Sequence, residues 1–237
     1  MEWSGKKVVV IGGTSGIGRT VASRSAALGA EVVVASSSQA KVDAARAELP
    51  AGAEALVVDV TDEGQVASLF GRVGPFDHLV YTAGDWGSMA GERLAGLDLE
   101  RAPDVFAVRF WGALTAAKHA HRSMTPGGSI TLTDGLIAHR PRPGAAVRTA
   151  MAGAIEHLVT GLAVELAPVR VNAVCPGMIA TDVLASIPAE RITAMTARQA
   201  VPRPGTPDEA AEAYLYLMRG TYTTGQVLRV DGGMSLT

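Results

Sequence analysis

The stretch Lys6–Arg19, KKVVVIGGTSGIGR, constrains the fold more than any other part of this 237-residue chain. Val8, Val9, Val10 and Ile11 form an unbroken β-branched run, the pattern of a central strand buried on both faces. The chain then turns through Gly12, Gly13, Thr14 and Ser15 and enters a helical pattern at Gly16. Glycines at 12, 16 and 18 let the backbone turn tightly and come close to a diphosphate. The helix N-terminus behind them offers unpaired N–H groups to that anion. Strand, glycine turn and helix in this order predict the first βα unit of a dinucleotide-binding sheet.

Further strands are predicted at Glu31–Ala35, Ala53–Asp59, Asp77–Thr82, Ser129–Thr133, Val169–Val174 and Gln226–Val230. Helical patterns lie between them at 39–49, from the Thr61–Asp62 cap to 72, at 98–123, at 145–166 and at 207–219. The alternation predicts an α/β fold: a Rossmann-type, doubly wound parallel sheet of seven strands with helices on both faces. The length suits a single domain spanning 1–237, with an irregular segment at 176–206 that contains one helical piece near 188–198. A net charge of -2 gives no support to nucleic-acid binding. No apolar run approaches the roughly 20 residues needed to span a membrane, and MEWSGKK lacks the apolar core of a signal peptide. The lone cysteine, Cys175, fits a reducing compartment. A cytoplasmic protein is expected.

Over nearly its whole length the chain resembles the short-chain dehydrogenase/reductase family. Gly12-x3-Gly16-x-Gly18 is similar to that family's cofactor fingerprint, and Val57–Asp62 to its adenine-side segment, where Asp59 would hydrogen-bond the adenine amino group. Tyr81-Thr82-Ala83-Gly84 stands where the family usually has Asn-Asn-Ala-Gly. Glu165–Gly177 resembles the family's sixth-strand pattern, and Asp231-Gly232-Gly233 its C-terminal ending. The resemblance implies a nicotinamide cofactor held by Gly12, Thr14, Ser15, Gly16, Ile17, Gly18, Ser36, Ser37, Asp59, Val60, Ala83, Gly84, Pro176, Gly177, Ile179 and Thr181. It also implies a homo-tetramer or homo-dimer, and a small carbonyl or alcohol substrate covered by residues 176–206. No metal is expected.

The family's reaction uses a Tyr-x-x-x-Lys pair, a serine after the fifth strand and an asparagine on the fourth helix. Lys6, Lys7, Lys41 and Lys118 are the only lysines, and none has a tyrosine four residues before it. Aligned back from Leu162–Pro168, Arg148 takes the tyrosine position, Ala152 the lysine, Gly135 the serine and Arg109 the asparagine. Two readings follow. In one, an oxidoreductase works through a non-standard site of Asp134, Arg109, Arg148 and His139. A carboxylate between two arginines would be held as the anion and make a poor acid. The arginines would then steady an alkoxide while water or His139 supplies the proton. In the other, the protein binds cofactor without hydride transfer, as a sensor, scaffold or subunit of a hetero-oligomer. There Arg148 is a solvated helix-start residue, and His139 with the RPRPG piece an exposed loop.

An acidic residue closing the second strand of this fold selects NAD. Ser36, Ser37 and Ser38 occupy that place, so NADP(H) is favoured over NAD(H), with Arg19 or Lys41 near enough to help. Trp86, Met89 and Trp111, with Met178, Ile179, Val183, Leu184, Ile187 and Met195, are expected to make an apolar substrate cover, or to pack within the subunit.

Overall fold

The computed structural model describes residues 3–50, 52–84 and 93–237. Seven parallel strands lie in the order β3-β2-β1-β4-β5-β6-β7. They are β1 (Lys7–Ile11), β2 (Glu31–Ser36), β3 (Glu54–Val57), β4 (Phe76–Tyr81), β5 (Met124–Thr133), β6 (Arg170–Pro176) and β7 (Val227–Val230). From β1 the chain builds outward first to one side and then, from β4, to the other. This creates the switch point at which such sheets open a crevice beyond their carboxyl ends.

The valine run of β1 explains the layering. Val9 and Ile11 point into a core with Val66, Leu69, Ala117 and Ile155, from α3 (Glu63–Val73), α5 (Ala113–Ala120) and α6 (Ala146–Glu165). Val8 and Val10 point the other way. They meet Val21, Val42 and Leu215 of α1 (Gly16–Ala27), α2 (Gln39–Glu48) and α9 (Pro207–Arg219). Alternate side chains of one strand therefore anchor both helical layers, which is why every residue from 8 to 11 is apolar. Asp62 caps α3 by accepting from Gln65 N, and Thr206 with Glu209 forms a reciprocal capping box on α9.

The continuous helix expected over 98–123 is instead broken. A short turn, α4 (Asp104–Phe106), leads into a π-helical stretch, Ala107–Gly112, before α5 begins. The irregular segment carries α7 (Asp182–Ala185) and α8 (Ala189–Thr196). No helix of the described residues is long and apolar enough to cross a membrane.

Candidate active site at the carboxyl edge of the sheet

The first βα turn is built for close approach. Gly12 has φ +85, and a Cβ there would lie 2.5 Å from Ala83 N. A Cβ on Gly18 would lie 2.3 Å from Gly12 O. Both glycines are thus required by the packing of the turn itself. A Cβ at Gly16 would come 3.2 Å from Thr181 Cγ2, which brings the glycine loop and the segment after β6 to one place. The Ser15 side chain makes no cap to α1, leaving the first N–H groups of that helix without a side-chain acceptor. An open, positively polarised cradle of this kind fits a diphosphate.

On the adenine side, Asp59 is half-buried and its Oδ1 accepts from the N–H and hydroxyl of Thr61. Beyond β2, Ser38 caps α2 and Ser36 Oγ accepts from Ser38 N, which leaves Ser37 exposed beside them. Arg19 is drawn to Glu48 at 2.9 Å rather than to the serines. On the nicotinamide side, Gly177 N donates to Val230 O, and a Cβ on Gly177 would lie 2.7 Å from Asp231 Cα. Asp231 is itself fixed by the N–H groups of Gly233 and Ser235. The C-terminal Asp-Gly-Gly therefore serves to buttress the Pro176–Gly177 turn.

Arg109 sits in the π-helical stretch, a geometry that re-aims side chains and recurs at functional sites. The Tyr81 hydroxyl donates to Val108 O at 2.5 Å, engaging a carbonyl within that widened turn. Burial pushes the Tyr81 phenol well up, so it remains a donor. The guanidinium of Arg109 lies against Gly84, where a Cβ would come 2.7 Å from its Cζ. Glycine at 84 and tyrosine at 81 thus set where this arginine can lie.

Asp134 follows β5 and is 2% exposed, with neither carboxylate oxygen in a hydrogen bond of normal geometry. Burial first, then the neighbouring Glu156 carboxyl, push its pKa up to about 7; Gly135 N–H and the Cys175 thiol pull the other way. This corrects the expectation of an anion held between two arginines. The charged neighbour named in its shift is an acid, Glu156. A carboxyl poised near neutrality is a competent acid.

His139 Nε2 lies 2.5 Å from Glu156 Oε1, and both side chains are largely buried. His139 is therefore a member of the buried cluster and not an exposed loop residue. Cys175, at the end of β6, completes it; burial and the Asp134 and Glu156 carboxyls hold its thiol protonated. Donor atoms of Asp134, His139 and Cys175 lie within 4.8 Å of one another, a set that a divalent transition metal accepts. The raised Asp134 and Cys175 show the environment favouring protons on these groups.

Glu156 and Cys175 were not singled out from sequence. Glu156 left a readable trace: it falls on the α6 face that buries Ala152, Ile155 and Val159, where an acidic residue is out of place. A Cβ at Gly135 would lie 3.9 Å from that of Ala152, so the positions aligned with the family's serine and lysine do face each other.

Arg148 is 7% exposed, which excludes the solvated helix-start reading. Burial and the like charge of Arg142 lower its pKa. It lines a cavity of about 790 Å³ between residues 93–97 and 141–149. Trp111 and Val183 are more than half exposed and do not line that cavity; Ile179 is buried. Trp86 and Met89 lie outside the described residues.

The family model described as enoyl-(acyl carrier protein) reductase matches residues 12–235. The short-chain dehydrogenase/reductase ATR9 of Stachybotrys chlorohalonatus is 36% identical over 253 residues, covering 98% of this chain and 98% of that protein. The solved MalC reductase/Diels-Alderase of Malbranchea aurantiaca superposes with a TM-score of 0.91 at 33% identity, covering 99% of this chain and 98% of that one. A small-chain dehydrogenase solved in complex with NADPH is 34% identical with a TM-score of 0.77, over 98% of this chain and 99% of that one.

Proposed function

Because the chain belongs to the short-chain dehydrogenase/reductase family, we propose that it is an NADP(H)-dependent oxidoreductase whose proton donor is Asp134. The observation that carries this reading is a buried carboxyl raised to about 7 at the carboxyl end of β5, where the family's catalytic serine segment aligns. The sequence has no Tyr-x-x-x-Lys pair, and the buried acid supplies what the missing tyrosine would.

The cofactor would be held by Gly12, Gly16 and Gly18 and the first turn of α1, with Ala83, Gly84, Pro176, Gly177 and Thr181 along its nicotinamide half. When bound, it supplies a hydride to the substrate carbonyl carbon. As negative charge grows on the carbonyl oxygen, Asp134 transfers its proton to that oxygen. Arg109 supplies a fixed positive charge nearby. Glu156 and His139 then return a proton to Asp134. With no carboxylate among Ser36–Ser38, a 2′-phosphate meets no repulsion there, and a relative solved with NADPH supports a nicotinamide cofactor.

A homo-oligomer is favoured by the open face of α6. Gly153 and Gly161 would carry a Cβ into free space, and Val164 is 78% exposed beside them. One observation favours the second reading, a cofactor-binding protein without turnover: Ala152 provides no cation for the ribose or for a proton donor. NADPH oxidation with a panel of aldehydes, ketones and enones separates the two. Turnover that falls by about two to four orders of magnitude in Asp134→Asn is expected of a lost general acid. NADPH binding with no oxidation across the panel supports the non-catalytic reading. Turnover that survives the substitution refutes Asp134 as donor.

A further inference from the structure

The cavity beside Arg148 has a chemistry of its own. Leu94, Leu97 and Val147 give it an apolar wall, while the charged residues among its described lining are Arg93, Arg142 and Arg148. Its volume of about 790 Å³ is that of a ligand site and not of a packing void. Two of its polar atoms are buried without any hydrogen-bond partner, Arg148 Nε and Thr149 Oγ1. Both belong to the first turn of α6, a 20-residue helix whose N-cap is Ala145 and therefore offers no side-chain acceptor. The helix N-terminus adds its positive end to the arginines.

Arg19, Arg24 and Arg203 meet carboxylates. The buried Arg170 donates to the carbonyls of Leu217, Met218 and Thr223. Beside this cavity Arg142 lies near enough to Arg148 to repel it, and a buried donor of Arg148 has no hydrogen-bond partner. A buried guanidinium with a like charge beside it and an orphaned donor is stabilised by a counter-ion.

We propose that this cavity binds an organic anion with an apolar body, its carboxylate or phosphate held by Arg93, Arg142, Arg148 and the N-terminus of α6. The proposal rests on the oxidoreductase reading for what happens to the ligand, since it gives that enzyme's substrate class, but not for its binding.

The test is calorimetric titration of the whole protein, saturated with NADPH, against decanoate, decyl phosphate and decanol. Decanoate or decyl phosphate should bind at least about tenfold tighter than decanol, and the advantage should shrink in high salt. The tighter anion identifies the head group. Arg93 and Arg142 are exposed, so the double variant Arg93→Ala/Arg142→Ala folds; it should lose about tenfold or more in anion affinity and nothing for decanol. Arg142→Lys should retain part of the charge effect. Equal affinity for anion and alcohol, or an unchanged anion affinity in the double variant, overturns the proposal. So does displacement of the anion by NADPH, which would give the arginines to the cofactor. A separate NADPH titration of the ligand-free protein keeps the outcomes apart, because failure there counts against the oxidoreductase and not against the anion site.

Discussion

Asp134→Asn isolates the buried proton without reference to any substrate. The side chain keeps its shape and loses its charge, so it imitates the protonated acid. In the folded chain the Asp134 pKa is raised from 3.8 to about 7. The folded state therefore binds a proton that the unfolded state has already released between those values. Its stabilising effect is fully present below the unfolded pKa, declines as pH rises, and is gone above about pH 7. A shift of this size corresponds to about 4 kcal/mol over the whole window, at roughly 1.4 kcal/mol per pH unit. Between about pH 5 and about pH 7 the wild type should lose about 2 kcal/mol relative to Asp134→Asn. At about pH 8 the variant should be the more stable protein. Urea unfolding of both proteins across that range measures the difference directly. A difference that stays flat, or that grows in favour of the wild type as pH rises, refutes a proton held on Asp134.

Other outcomes follow from the same geometry. Glu156→Gln removes the charge that helps raise Asp134, so the alkaline fall of the pH–rate profile for carbonyl reduction should move to lower pH; an unmoved profile uncouples the two residues. Tyr81→Phe strips the donor from Val108 O in the π-helical stretch and should cost about 1–2 kcal/mol in urea unfolding, with NADPH oxidation falling as Arg109 shifts; unchanged stability contradicts the bracing role. Gly18→Ala places a methyl 2.3 Å from Gly12 O and should destabilise the protein by about 1–3 kcal/mol while weakening NADPH binding in a fluorescence titration. Ser37→Asp should weaken NADPH and spare NADH, because the new carboxylate meets only the 2′-phosphate; equal loss for both nucleotides would move the phosphate site elsewhere.

Most of the fold was readable because its determinants are local. A β-branched run, a glycine turn and a helical repeat each declare themselves within a dozen residues, and the β1 run carried the order of the layers with it. The break in the helix before α5 was not readable. The Tyr81 hydroxyl, from across the sheet edge, engages Val108 O within that stretch, a long-range contact that nothing in Ala107–Gly112 announces. The site was legible in part for the same reason. Arg109 and Arg148 were singled out by aligned position, Asp134 as the residue before the aligned serine position and His139 by its place on the adjoining loop. The raised Asp134 pKa, however, comes first from burial and then from Glu156, 22 residues away and brought alongside by the α6 helix. Sequence position alone suggested arginine neighbours, and the folded chain supplies an acidic one.

The central claim is that Asp134, next to the position aligned with the family's serine, is held as a neutral carboxylic acid. Infrared difference spectroscopy of wild type minus Asp134→Asn reads that group directly, through the C=O stretch of a protonated carboxyl. The account expects this band at about pH 5 and its conversion to carboxylate as pH rises through about 7. A carboxylate signal already complete at about pH 5 would contradict it, and the proton donor would have to be sought elsewhere.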